Sequence, residues 1–169
     1  VAYWSAEHFN NRALFSDYYL EERLPSFPEW QEDPRPAYRR LRELYAGAAA
    51  RFANQTEGVL RDGLLEPVFE VLGFQPVAVR GTTPAAVKAA DYQLHAPDGR
   101  EGSSAPVLTY PWGRSLDAKD DTRDTETPDE NPGAMVVSLL EGGETPWVVM
   151  TNGKLWRLYA AETHSRATN

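Results

Sequence analysis

Between residues 36 and 52 the apolar positions fall at Tyr38, Leu41, Leu44, Tyr45, Ala48 and Phe52, spacings of three and four that place one stripe along a helix. A second stripe follows at Val59, Leu60, Leu64 and Val68, with Thr56 placed to cap its start. Pro67 should kink this helix, because a proline inside a helix has no N–H to donate, and Gly73 should end it after Leu72. The pattern then shortens. "PVAVR" (76–80), "DYQLH" (91–95) and "PVLTY" (106–110) are β-rich runs separated by glycine, proline and polar residues, and they read as strands. Residues 113–133 form a polar stretch dominated by Asp, Glu, Thr and Pro, after which "AMVVSLLE" (134–141) resumes an apolar run whose Leu and Met favour helix. In "WVVMTNGKLWRLY" (147–159), Asn152-Gly153 between two apolar runs predicts a hairpin closed by a two-residue type I′ turn, with positive φ at both central residues.

The order helix, helix, three strands, helix, hairpin predicts an α/β or α+β domain over residues 36–169, with N-terminal helices packed on a small mixed sheet that ends in a β-hairpin. Residues 1–35 read as a separate docking segment: "FNNRALFSDYYLEERLPSFPEW" (9–30) carries aromatics and leucines and then a proline-rich turn. The chain opens on Val1 and closes on "THSRATN" without a terminating element, so it reads as a piece of a longer protein.

Composition narrows the function classes. A hydrophobic content of 41% with 25% charged residues is that of a globular chain, not a disordered one. No apolar run approaches the ~20 residues of a membrane span, which argues against a membrane partner. The absence of cysteine excludes disulfides and thiolate metal sites and fits a cytoplasmic protein. The net charge of −8 leaves no cationic surplus for gripping phosphates, so any strong hold on DNA is expected from elsewhere in a longer protein.

Chemistry concentrates in "VLTYPWGRSLDAKDDTRD" (107–124), which contains Asp117-Ala118-Lys119, a D-x-K of the kind by which nucleases hold Mg²⁺ and position a water. The same stretch reads equally as a solvated charge run, with Asp120, Asp121 and Asp124 close by. His8, His95 and His164 show no metal-ligand spacing. "NPGA" (131–134) is not the Asn-Pro-Pro-aromatic motif of adenine methyltransferases, and no phosphate-cradling glycine loop is present.

Taken in order, "NRALFSDYYLEERLP", "LEPVFEVLGF", "ADYQL", "WGRSLD" and "PWVVMTNGKLWRLY" resemble the N-terminal region of type IIG-like restriction–modification proteins, in which a PD-(D/E)XK nuclease domain precedes an adenine methyltransferase. The resemblance implies a PD-(D/E)XK restriction-endonuclease-like core in a restriction–modification or phage-defence protein. It further implies Mg²⁺ as cofactor, double-stranded DNA as partner through the full-length protein, and a methyltransferase domain in the same chain. S-adenosylmethionine would belong only to that methyltransferase region.

In such a site a metal polarises the phosphate and lowers the pKa of the attacking water, and a neighbouring lysine orients that water. Mg²⁺ takes hard oxygen ligands, often from only one or two protein carboxylates. Asp91 in "ADYQL" matches the family's first metal ligand, and Glu57, early on the second helix, matches an auxiliary acidic residue. The bland alternatives are an Asp91 that caps its strand and a solvated Glu57 favoured by the helix dipole.

Two placements of the remaining motif compete. In the first, Asp117 is the second metal ligand and Lys119 orients the water, so that Asp91, Asp117, Lys119 and Glu57 make a Mg²⁺-dependent DNA endonuclease. In the second, Trp112 and Leu116-Asp117 anchor the pattern, which puts Leu108 and Tyr110 where the family has Glu and Lys. The domain would then be a degenerate nuclease fold serving as an interaction or DNA-positioning module for a methyltransferase. Met135, counted from Pro132 where the family commonly has Gln, agrees with the second placement.

Overall fold

The computed structural model describes residues 10–79, 90–96, 104–117, 120, 131–142 and 146–161. The chain divides into two compact units, Val1–Pro36 and Ala37–Asn169. The first is built from short turns: a π-helical turn over Tyr19–Arg23 and 3₁₀ turns over Leu24–Ser26 and Pro28–Gln31, the last two opened by prolines. Asn11 ties this unit locally, its Oδ1 accepting from the Phe15 N–H (2.9 Å) and its Nδ2 donating to the Phe15 carbonyl (2.6 Å), and Phe15 stacks on Tyr19.

The second unit is a mixed α+β domain. The predicted 36–52 helix is two: α1 (Arg35–Tyr45) and α2 (Ala48–Phe52), separated at Gly47, whose φ of 69° no residue with a Cβ adopts cheaply. Leu41, Leu44 and Tyr45 still face the core with Ala48 and Phe52, so the break redirects the stripe without losing it. α3 (Glu57–Leu60) starts at Thr56, whose hydroxyl accepts from the Val59 N–H. The helix then widens into a π-helical turn over Arg61–Leu65 and continues as α4 (Glu66–Val71), with Pro67 in its first turn. The widened turn sits where Pro67 would otherwise leave a carbonyl of the preceding turn without a donor, so the predicted kink takes the form of a local change in winding. Leu72 and Gly73 end the helix as expected.

Five strands form one sheet in the order β1 (Gln75–Ala78), β2 (Tyr92–His95), β3 (Ser104–Thr109), β4 (Trp147–Thr151) and β5 (Trp156–Ala160). All neighbours are antiparallel except β3 and β4, which are parallel and connected through α5 (Pro132–Glu141), capped by the Asn131 side chain. Strand alternation splits the core in two. Tyr92, Leu94 and Val107 point towards Leu60, Leu64, Leu65, Val68 and Phe69 of the N-terminal helices. Leu108, Tyr110, Val148 and Met150 point the other way, to Met135, Val136 and Leu140 of α5.

The hairpin forms as predicted, but its turn is not type I′. Thr151 pairs with Trp156, leaving a four-residue loop in which Gly153 alone has positive φ. The reason lies in Asn152, whose Oδ1 accepts from the N–H groups of Lys154 (3.0 Å) and Leu155 (2.7 Å) while its Nδ2 donates to the Arg114 carbonyl (2.8 Å). An Asn spent on satisfying the loop and anchoring a neighbouring segment does not need the left-handed conformation that a two-residue turn demands. Among the described residues no helix is long and apolar enough to cross a membrane.

Candidate functional site

Glu57 and Asp91 meet on the helix-α3 side of the sheet. Asp91 precedes β2, its N–H donating to the Val107 carbonyl (2.8 Å) and its carbonyl accepting from Val79 (3.0 Å). Its carboxylate turns along the ladder instead of leaving it: Oδ2 accepts from the Thr109 N–H at 2.7 Å, and Oδ1 accepts from the Arg61 guanidinium at 3.2 Å. Glu57, in the first turn of α3, accepts from the Thr109 hydroxyl at 2.7 Å and lies 3.8 Å from the same guanidinium nitrogen of Arg61, four residues along its own helix. The cluster is half-buried, with Asp91 the most enclosed at 12% side-chain exposure against 27% for Glu57 and 33% for Arg61.

A second polar pair adjoins it. The Tyr92 hydroxyl donates to Glu66 at 2.9 Å, and the Arg61 guanidinium lies over the Tyr92 ring. Burial, together with the hydrogen bond to the Glu66 carboxylate, pushes the Tyr92 phenol well above the ordinary tyrosine range, so it is a neutral donor at any physiological pH.

Asp117 is elsewhere. Its carboxylate accepts from Arg157 at 2.7 Å with 73% of the side chain in water, and its N–H donates to the Ser115 hydroxyl. Arg157 stands opposite Met150 across the β4–β5 ladder, and Leu116 lies in the α5-side core, so Asp117 is held on the face of the sheet away from Glu57 and Asp91. The structure thus brings Glu57 and Asp91 together and does not bring Asp117 to them. Lys119 lies outside the described residues, as do Asp121, Asp124, His8 and His164.

The second placement of the motif also needs correction. Leu108 and Tyr110 do not face Asp91: both point into the α5-side core, where the Arg114 guanidinium covers the Tyr110 ring at 4.6 Å. Val107 stands opposite Tyr92, and period-two alternation therefore presents Val107 and Thr109 to the carboxylates. An apolar residue and a hydroxyl occupy the strand positions nearest the acidic pair.

Arg61 and Thr109 are the members that reading by motif missed. Arg61 was within reach of sequence as the i+4 partner of Glu57 on one helix face. Thr109 was not, because its part depends on which face of β3 meets the helices. No known protein family matches the chain, and no curated protein or solved structure is significantly similar to it.

Proposed function

We propose that this domain is a nuclease-like module that does not cut, and that it serves to position DNA for a methyltransferase. The reading joins the resemblance of the sequence to the PD-(D/E)XK region of restriction–modification proteins with one observation, the Arg61 guanidinium set between Asp91 and Glu57. Those two carboxylates are the pair a Mg²⁺ ion would need. Three of their four oxygens are engaged: both of Asp91, by Arg61 and the Thr109 N–H, and Oε1 of Glu57, by the Thr109 hydroxyl with Arg61 close beside it. A guanidinium is a permanent cation at every accessible pH and offsets one of the pair's two negative charges. As arranged, these residues do not fit a Mg²⁺ site, and with Val107 and Thr109 on the adjoining strand positions no lysine of β3 stands ready to orient a water.

The experiment is a cleavage assay on supercoiled plasmid with Mg²⁺ and, separately, Mn²⁺, using the 169-residue chain and its Asp91→Ala and Lys119→Ala variants. The expected result is intact plasmid throughout. Cleavage by the native chain that disappears in both variants would overturn the proposal and restore a Mg²⁺-dependent endonuclease, with Asp117 and Lys119 reaching the site through a rearranged loop.

A further inference from the structure

Residues 37–56 run against the charge of the chain. In a protein of net charge −8 this segment carries Arg39, Arg40, Arg42 and Arg51 against Glu43 as its one acidic residue. All four arginines are exposed, because the apolar side of α1 is used up: Leu41, Leu44 and Tyr45 are turned into the core. Arg40 is paired with Glu43 at 3.1 Å. The other three have no carboxylate partner among the described residues. Arg42 lies over the ring of Tyr38, itself 61% exposed, and Arg51 lies over Phe52 at 4.8 Å from the ring centre. Stacking on a ring holds a guanidinium plane in place while leaving its N–H edge available.

We propose that the exposed arginines of this segment, Arg39 and Arg42 of α1 and Arg51 of α2, dock the phosphate backbone of duplex DNA. The inference rests on the DNA-positioning reading and supplies its contact surface. Charge complementarity selects an anionic partner, and the residue type narrows it. Every cation in the segment is arginine, whose planar fork matches phosphate oxygens two at a time. Arg39 and Arg42 are three residues apart on one helix, neighbours on its surface. A folded acidic protein would also be attracted, but protein partners are held chiefly by a cluster of large anchors, and α1 keeps its leucines inside and offers Tyr38 alone, already covered by the Arg42 guanidinium. A backbone contact needs no such anchor.

The test is fluorescence anisotropy of a labelled duplex of about 20 base pairs, titrated with the 169-residue chain in EDTA at 50–200 mM salt, so that docking is read apart from cleavage. The variant is Arg39→Gln/Arg42→Gln/Arg51→Gln, with circular dichroism melting to show that it folds. Each phosphate contact contributes about 0.9 to the slope of log affinity against log salt, so the triple variant should lose about 2–3 from that slope and bind at least tenfold more weakly at low salt. Arg157→Gln, on the α5 side of the sheet, should leave the slope unchanged. An unchanged slope in the triple variant overturns this surface while leaving the non-cleaving reading intact. Native chain that ignores the duplex yet binds a labelled polyglutamate overturns DNA as the partner.

Discussion

Replacing Arg61 with methionine removes the cation between Asp91 and Glu57 while keeping most of the aliphatic stem, and the consequences can be worked out from the geometry. The guanidinium stands 3.2 Å from Asp91 and 3.8 Å from Glu57, with Asp91 12% exposed and Arg61 33% exposed. Breaking a fully buried pair costs about 3–5 kcal/mol, and a solvent-exposed one about 0.2–1 kcal/mol. This pair lies between those cases, and Asp91 retains its bond from the Thr109 N–H, so the expected loss is about 2 kcal/mol. For a chain of this length that lowers Tm by about 4–8 °C. The two carboxylates then lose the Arg61 cation that they share, and a divalent cation can take its place. At a Mg²⁺ concentration ten times the dissociation constant, binding returns about 1.4 kcal/mol. The assay is thermal denaturation of native chain and Arg61→Met with and without Mg²⁺, at ionic strength matched with NaCl. Mg²⁺ should raise the Tm of the variant by several degrees and leave the native chain unmoved. Adding Asp91→Asn to Arg61→Met should recover part of the lost stability and abolish the Mg²⁺ response. Equal Mg²⁺ stabilisation of native and Arg61→Met proteins would refute the idea that the guanidinium takes the place of a metal.

Three further outcomes follow from the same structure. Gly153→Ala should cost about 1–3 kcal/mol in urea denaturation, because φ is +79° and an added Cβ would lie 3.1 Å from Leu60 and 3.3 Å from Leu64 and Trp112; a loss under ~0.5 kcal/mol would show that the hairpin does not bear on the helix as described. Tyr92→Phe should flatten the alkaline limb of the stability curve: the folded pKa is raised, so the phenol's contribution is complete below the ordinary tyrosine pKa of about 10 and is lost as pH climbs past it. Melting temperatures that fall equally in both proteins above that pH would contradict it. Asp117→Asn should change stability by ~0.5 kcal/mol or less, as befits a 73% exposed ion pair, and should leave the Mg²⁺ response of Arg61→Met intact; loss of that response would place Asp117 at the carboxylate pair after all.

Much of the architecture is legible in the sequence because it rests on local signals. The stripe of Leu41, Leu44 and Tyr45 (though not Tyr38, which is 61% exposed), the Thr56 cap, the Gly73 stop and the Asn152-Gly153 hairpin all depend on residues within a few positions of one another. What escaped depends on competition among those signals. Gly47 looks like an ordinary interruption in a helical stripe, yet its left-handed φ splits the helix and sends α2 towards Gly63, where the Phe52 ring leaves little room for a Cβ. Asn152 has the identity a type I′ turn asks for, but its amide is committed to Lys154, Leu155 and Arg114, and the loop widens to suit it.

The candidate site was harder to read because a strand alternates faces with every residue and a motif does not say where the sheet lies. "WGRSLD" is contiguous in sequence but is divided by the structure. Trp112 packs towards Phe52 and Gly153 on the helix side, whereas Leu116 plugs the α5-side core. The chain therefore passes around the end of the sheet between them, and Asp117 emerges beside Arg157 on the far face from Asp91. The same parity decides β3, where a shift of one residue exchanges Leu108 and Tyr110 for Val107 and Thr109 as neighbours of the acidic pair. Once the faces are assigned, the cation that reaches both Asp91 and Glu57 among the described residues is Arg61, one helical turn from Glu57. A catalytic pair requires its carboxylate oxygens to be open to an incoming metal. Here Arg61, from the helix of Glu57, stands against an oxygen of each carboxylate, and that is why stability, not cleavage, is the property expected to respond when it is changed.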